Sequence, residues 1–99
     1  MKVQAVGIFW FRDALQYHEY KKIFTDADVL ADSYTDWKRD AEKLIKRIER
    51  NGQRVIKAEA ETAEFIRWCV EHNVGIDAEG RMQFASFKAH QKTGWRKIR

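Results

Sequence analysis

The chain has no proline, so no slow prolyl isomerisation step enters its folding. It has one cysteine, Cys69. That excludes an internal disulfide and fits a reducing, cytoplasmic setting. Its longest apolar run, Val6 to Phe11, is far short of the roughly 20 residues that a membrane-spanning helix needs. Met1-Lys2-Val3-Gln4 opens no long apolar region with a small-residue cleavage site, so no signal peptide is expected. Gly-rich phosphate loops and nucleophile elbows are missing. Acidic residues stop at Glu79.

What remains is short, aromatic and charged. Ninety-nine residues make one domain. Hydrophobic residues at 44% and charged residues at 34% place the chain among soluble globular proteins rather than disordered ones. The net charge of +4 is unevenly spread. Residues 80–99 hold Arg81, Lys88, Lys92, Arg96, Lys97 and Arg99 and no acid, while Asp26, Asp28, Asp32 and Asp36 occupy 25–36 with no base. The basic end reads as a phosphate-binding tail. The plainer reading ranks first, because six charges over twenty residues make a weak cluster: a solvated terminus, or a tail that pairs with the acidic loop of the same or a neighbouring chain.

Apolar periodicity predicts the elements. Val3 to Phe11 is apolar on both alternating faces and reads as a covered strand, which Gly7 either weakens or opens to a close backbone approach. Residues 12–24 read as a helix carrying Tyr17, Tyr20 and Phe24 on one stripe. Ser33-Tyr34-Thr35-Asp36 caps a second helix, whose face is Tyr34, Trp37, Ala41, Leu44, Ile45 and Ile48 and which Asn51-Gly52 stops. Arg54 to Ala60 reads as a second strand, with Lys57 and Glu59 toward water as on an edge. Thr62 is the expected cap of a third helix over 63–73, mostly buried through Phe65, Ile66, Trp68, Cys69 and Val70. Asp77 is the expected cap of a fourth over 78–92, with Met82, Phe84 and Phe87 as its apolar residues. Gly80 disfavours the first turn of that helix by roughly 1 kcal/mol relative to Ala. The expected fold is therefore a small α+β domain over residues 1–94, followed by a basic tail at 95–99. Its order is β-α-α-β-α-α, with two parallel strands packed with four helices. Two strands make a poor sheet alone, so a dimer that enlarges it is expected.

In its aromatic-rich first strand, in Asp32-Ser33-Tyr34-Thr35-Asp36-Trp37 and in Glu64-Phe65-Ile66-Arg67-Trp68-Cys69, the chain resembles a group of small uncharacterised bacterial proteins. The likeness spans most of the chain. It implies a bacterial or phage source and brings no activity, cofactor or catalytic residue with it.

Each candidate site has a sharp reading and a plain one. The third and fourth helices, joined by a short turn with Gly75, are spaced like a helix-turn-helix. Val70, Val74, Ile76 and Phe84 fit its apolar positions. Glu71 stands where a small residue is needed, and Arg81 where an apolar anchor is needed. Cys69 and His72 lie three apart on one helix, as zinc ligands or a thiolate–imidazole pair do, but His18 and His90 offer no companion spacing. The plain reading is a buried thiol beside a surface histidine. Asp26-x-Asp28 fails as a calcium loop at Leu30, Ala31 and Trp37. No catalytic residue, metal or cofactor is therefore assigned, and an enzyme ranks third among the readings.

The aromatics exceed what one face of a two-stranded sheet hides. Tyr17, Tyr20, Tyr34, Trp37 and Trp95 are the candidates for a partner-binding surface. The leading expectation is a non-enzymatic interaction protein, homodimeric or bound to a protein partner, cytoplasmic and not membrane-bound. The alternative is a nucleic-acid-binding module using Arg81, Gln83, Lys88, Lys92, Arg96, Lys97 and Arg99 on helix 78–92 and the tail.

Overall fold

Seven short elements follow one another in a computed structural model that describes residues 5–93. They are β1 (Ala5–Phe9), α1 (Ala14–Ile23), a 3-10 turn (Ala27–Val29), α2 (Tyr34–Arg50), β2 (Arg54–Ala58), α3 (Thr62–Glu71) and α4 (Ala78–Thr93). The expected α+β order is what forms. The two strands pair in parallel, in the register Ala5–Arg54 to Phe9–Ala58. The domain boundary at 94, the tail 95–99, Trp95, Arg96, Lys97 and Arg99 lie outside the described residues.

Caps explain where most helices begin and end. Asp13 accepts from the Gln16 N–H at 2.9 Å, and Ser33 accepts from the Asp36 N–H at 3.1 Å. Gly52, at φ 86°, lets the chain turn out of α2 where a side chain would be strained. Asp77 caps α4 through the Gly80 N–H. One cap differs from expectation. Thr62 is the first residue of α3, and Glu61 precedes it in extended backbone with no side-chain cap bond.

Alternation along the strands gives the sheet two faces. Gly7, Phe9, Ile56 and Ala58 point one way, toward α4. A Cβ on Gly7 would lie 2.1 Å from the Ala85 carbonyl oxygen, so only glycine lets α4 seat this closely on the sheet. Beyond the strand, the aromatic cluster closes. Phe9 meets Phe65 edge-on at 4.9 Å and Tyr20 at 5.3 Å, and Phe65 meets Phe84 at 5.4 Å. Phe11, Tyr17 and Phe24 complete this core. On the opposite face Trp10 packs on Trp37 of α2 at 4.9 Å, with the Lys57 ammonium 4.2 Å from a Trp10 ring.

Tertiary packing overrides three sequence expectations. Gly80 does not weaken α4. Its missing Cβ admits the Gly75 carbonyl and the Cys69 thiol, which would otherwise sit 2.0 and 3.2 Å from it. Val70 and Met82 are exposed rather than core, because α3 and α4 meet through Trp68 and Phe84 instead. The apolar face of α2 is only partly covered, with Tyr34, Trp37, Ile45 and Ile48 half-buried and Leu44 exposed. Of Ala41, Leu44, Ile45 and Ile48, only Ala41 is buried.

Candidate functional site

Two of the five aromatic surface candidates are corrected by the structure. Tyr17 and Tyr20 are both 0% exposed and belong to the core. Their hydroxyls are satisfied internally. Tyr17 donates to the Ala31 carbonyl, and Tyr20 donates to the Ala60 carbonyl at 2.5 Å. Burial raises both phenol pKa values, with nearby carboxylates adding to it, so neither phenol is poised for proton transfer at neutral pH. Tyr34 and Trp37 are half-buried and stack on each other at 5.7 Å. They line the seam between α2 and the core.

Two basic residues of α4, Arg81 and Lys88, are engaged within the domain. Arg81 donates from two nitrogens to both carboxylate oxygens of Asp26, at 2.9 and 3.0 Å. It also lies over the Phe24 ring at 4.4 Å. Gln83 donates to Glu79 at 2.8 Å and Lys88 to Glu64 at 3.1 Å. Arg81 and Lys88, two of the residues that the helix-turn-helix reading would use, thus have partners on other elements of the domain. Part of the acidic loop is thus matched to part of the basic end inside one chain.

The cysteine–histidine pair is separated by packing. Cys69 is 0% exposed, and burial, with Asp77 nearby, raises its thiol pKa. The exposed His72 ring stacks on Trp68 at 4.1 Å, and its Nδ1 lies 2.8 Å from the Trp68 carbonyl. No group of three or more His, Cys, Asp and Glu suited to a metal ion occurs among the described residues. Nor is any described helix long and apolar enough to cross a membrane.

One concave surface stands out. A groove of about 970 Å³ runs between α2, β2 and α4. Ile45 and Lys46 of α2 form one wall, and Lys88 and Lys92 of α4 stand at the other. Its floor is the run Val55 to Glu59, every residue of which lines it. A strand lines a groove with consecutive residues when it presents its backbone edge. Ala58 turns its carbonyl toward β1, where it accepts from the Trp10 N–H at 2.9 Å. Backbone groups alternate along a strand, so the N–H and C=O of Val55, Lys57 and Glu59 point the other way, into the groove. The sheet holds two strands among the described residues. The sequence hinted at this edge through the exposed pattern of Lys57 and Glu59. The groove itself depends on the angle of α2, which no local pattern encodes.

No protein-family model, curated protein or solved structure matches the chain. The resemblance carried by the aromatic-rich first strand and by residues 32–37 and 64–69 finds no counterpart in these comparisons.

Proposed function

We propose that this protein is a non-enzymatic interaction module that engages a protein, either another chain or a second copy of itself, along the α2–β2 groove. The observation that carries this reading is the open edge of β2, set between two helices with its hydrogen-bonding groups facing the groove. An unpaired edge is a template for another strand. A two-stranded sheet gains most from an added one. The half-buried Ile45 and Val55 give the groove an apolar lining, and the uncovered Leu44 extends apolar surface along α2. The free, buried Cys69 is compatible with a reducing compartment, and we place the protein in the cytoplasm. The nucleic-acid alternative ranks second, because Arg81, Gln83 and Lys88 already have partners within the domain.

Photo-cross-linking tests the reading. A photoreactive residue is placed at Glu59 on the groove floor and, as a control, at the exposed Leu15 of α1. In cells of the native host, the Glu59 position is expected to give one recurring adduct, identified by mass. That adduct should disappear when Ile45→Glu is added. Equal adducts at Leu15 and Glu59 would sink the reading.

A further inference from the structure

We propose that the groove takes an extended segment of another protein, one that carries carboxylates at alternate positions and apolar residues between them. This rests on reading the α2–β2 face as an interaction surface and names the chemistry of its partner.

Unpaired cations gather at one end of the groove. α2 passes into β2 through a tight turn, in which the Gly52 N–H donates to the Glu49 carbonyl at 3.0 Å, so Arg50 and Arg54 flank that turn. α4 reaches the same end. Its Phe84 meets Phe9, while Ala85 and Ala89 lie against Gly7, so α4 runs back along β1. Lys92 is about 4.5 Å further along the helix, or about one to two strand residues. The strand register sets that level at Val55 and Arg54, and Lys92 and Val55 line the groove together. Lys46 and Arg47 complete the set from the end of α2. Lys46, Arg47, Arg50, Arg54 and Lys92 are all exposed, and none has an ion-pair partner among the described residues. Glu49 is the one acid between Lys46 and Arg54. The ion pairs that do form lie elsewhere, as in Arg12 with Glu61 and Arg81 with Asp26.

The two sides of the groove differ in charge. Alternation puts Arg54 on the α4 side of β2 with Ile56 and Ala58, and puts Lys57 and Glu59 on the α2 side with Val55. The α4 side thus carries Arg54, Lys88 and Lys92. Lys88 already holds the Glu64 carboxylate at 3.1 Å, so this wall receives carboxylates within the domain itself. None of the acids lining the groove, Glu42, Glu49 and Glu59, is on that side. They share the α2 side with Lys46 and Lys57, where Ile45 and Val55 supply apolar lining. A strand added to β2 sends alternate side chains to the two sides. Carboxylates facing α4 meet cations, and apolar residues facing α2 meet Ile45 and Val55. Neither strand of this chain is such a segment, since Ala5–Phe9 and Arg54–Ala58 hold no acid. Nucleic acid fits less well, because no aromatic ring lines the groove for a base to stack on.

Fluorescence anisotropy with a labelled octapeptide of alternating Glu and Val tests the proposal on the full chain. The peptide is expected to bind about tenfold or more tighter than its Gln–Val analogue, and the Lys–Val analogue not at all. Arg54→Glu and Lys92→Glu are each expected to raise the Kd about tenfold. Lys22→Glu, the same charge change on exposed α1, should leave it unaltered. Circular dichroism shows whether each variant keeps its fold. Amide exchange followed by NMR should show the N–H groups of Val55, Lys57 and Glu59 gaining protection from the peptide, while those of Ile56 and Ala58, already directed at β1, do not. No binding of the Glu–Val peptide, or equal binding of the Gln–Val peptide, would overturn the inference. So would a thymidine oligonucleotide of equal charge that binds as tightly and displaces the peptide, which would give the surface to nucleic acid. A Lys57 N–H protected before any peptide is added would mean that a second copy or the chain's own end fills the edge, and would overturn it as well. A protein adduct at Glu59 in cells, with no affinity for the acidic peptide, would leave the wider reading standing without this one.

Discussion

Asp26 and Arg81, 55 residues apart in sequence, meet as a two-pronged ion pair at 2.9 and 3.0 Å. Asp26 also accepts from the Ala78 N–H at 3.1 Å, so one carboxylate ties the loop after α1 to the first turn of α4. A negative charge at a helix N-terminus is favourable in its own right.

This arrangement predicts an acid-sensitive link. The Arg81 hydrogen bonds, opposed in part by burial, hold the Asp26 carboxyl below the usual carboxylate range. A group whose pKa is lower when folded contributes stability above its unfolded pKa, and loses it as pH falls through the folded value. Asp26→Asn is therefore expected to cost about 1–2 kcal/mol at pH 7. The difference from wild type should shrink steadily below pH ~4. Urea unfolding of both proteins across pH reads it directly. A constant difference would mean that the carboxylate charge is not what matters.

Gly80→Ala separates local propensity from packing. Helix propensity alone says that alanine should stabilise α4 by about 1 kcal/mol. The Gly75 carbonyl, 2.0 Å from where the new Cβ would sit, says the reverse. We expect a loss of about 2 kcal/mol, and a similar loss for Gly7→Ala against the Ala85 carbonyl. Thermal unfolding of the two variants gives the sign at once.

Tyr20→Phe removes one of two donors to the Ala60 carbonyl, because Gln16 still donates to it at 3.2 Å. The acceptor keeps a partner, so the expected cost is about 1 kcal/mol. In the wild type the Tyr20 phenol should resist ionisation until the protein unfolds, since burial raises its pKa. An alkaline titration followed by tyrosinate absorbance should show two late ionisations, those of Tyr17 and Tyr20, that coincide with loss of structure, and one fewer in the variant.

Cys69 should be inert to thiol reagents in the native state, because its sulfur is buried and its pKa raised by that burial. The expected result is negligible labelling in native buffer and one equivalent in denaturant. Rapid native labelling would mean that the α3–α4 contact opens readily.

Element type and order were legible in the residues themselves. Tyr34 to Arg50 repeats its apolar residues at helical spacing between a serine cap and a glycine stop, so local chemistry suffices there. Ile56 to Ala60 alternates, and the helices between the strands fit the parallel pair that forms. What each side chain does was settled by contacts between distant segments. Tyr17 and Tyr20 carry the residue type of an interface, yet the bend after β1 turns them into the core. Arg81 and Lys88 look like a basic recognition surface, yet Asp26 and Glu64 reach them from other elements. Gly7 and Gly80 look like weak points, yet each admits a carbonyl from a neighbouring segment. Periodicity is a property of near neighbours, which the backbone holds at fixed spacing. Burial, ion pairing and the open edge of β2 depend on where whole elements come to rest against one another, and only the folded arrangement decides that.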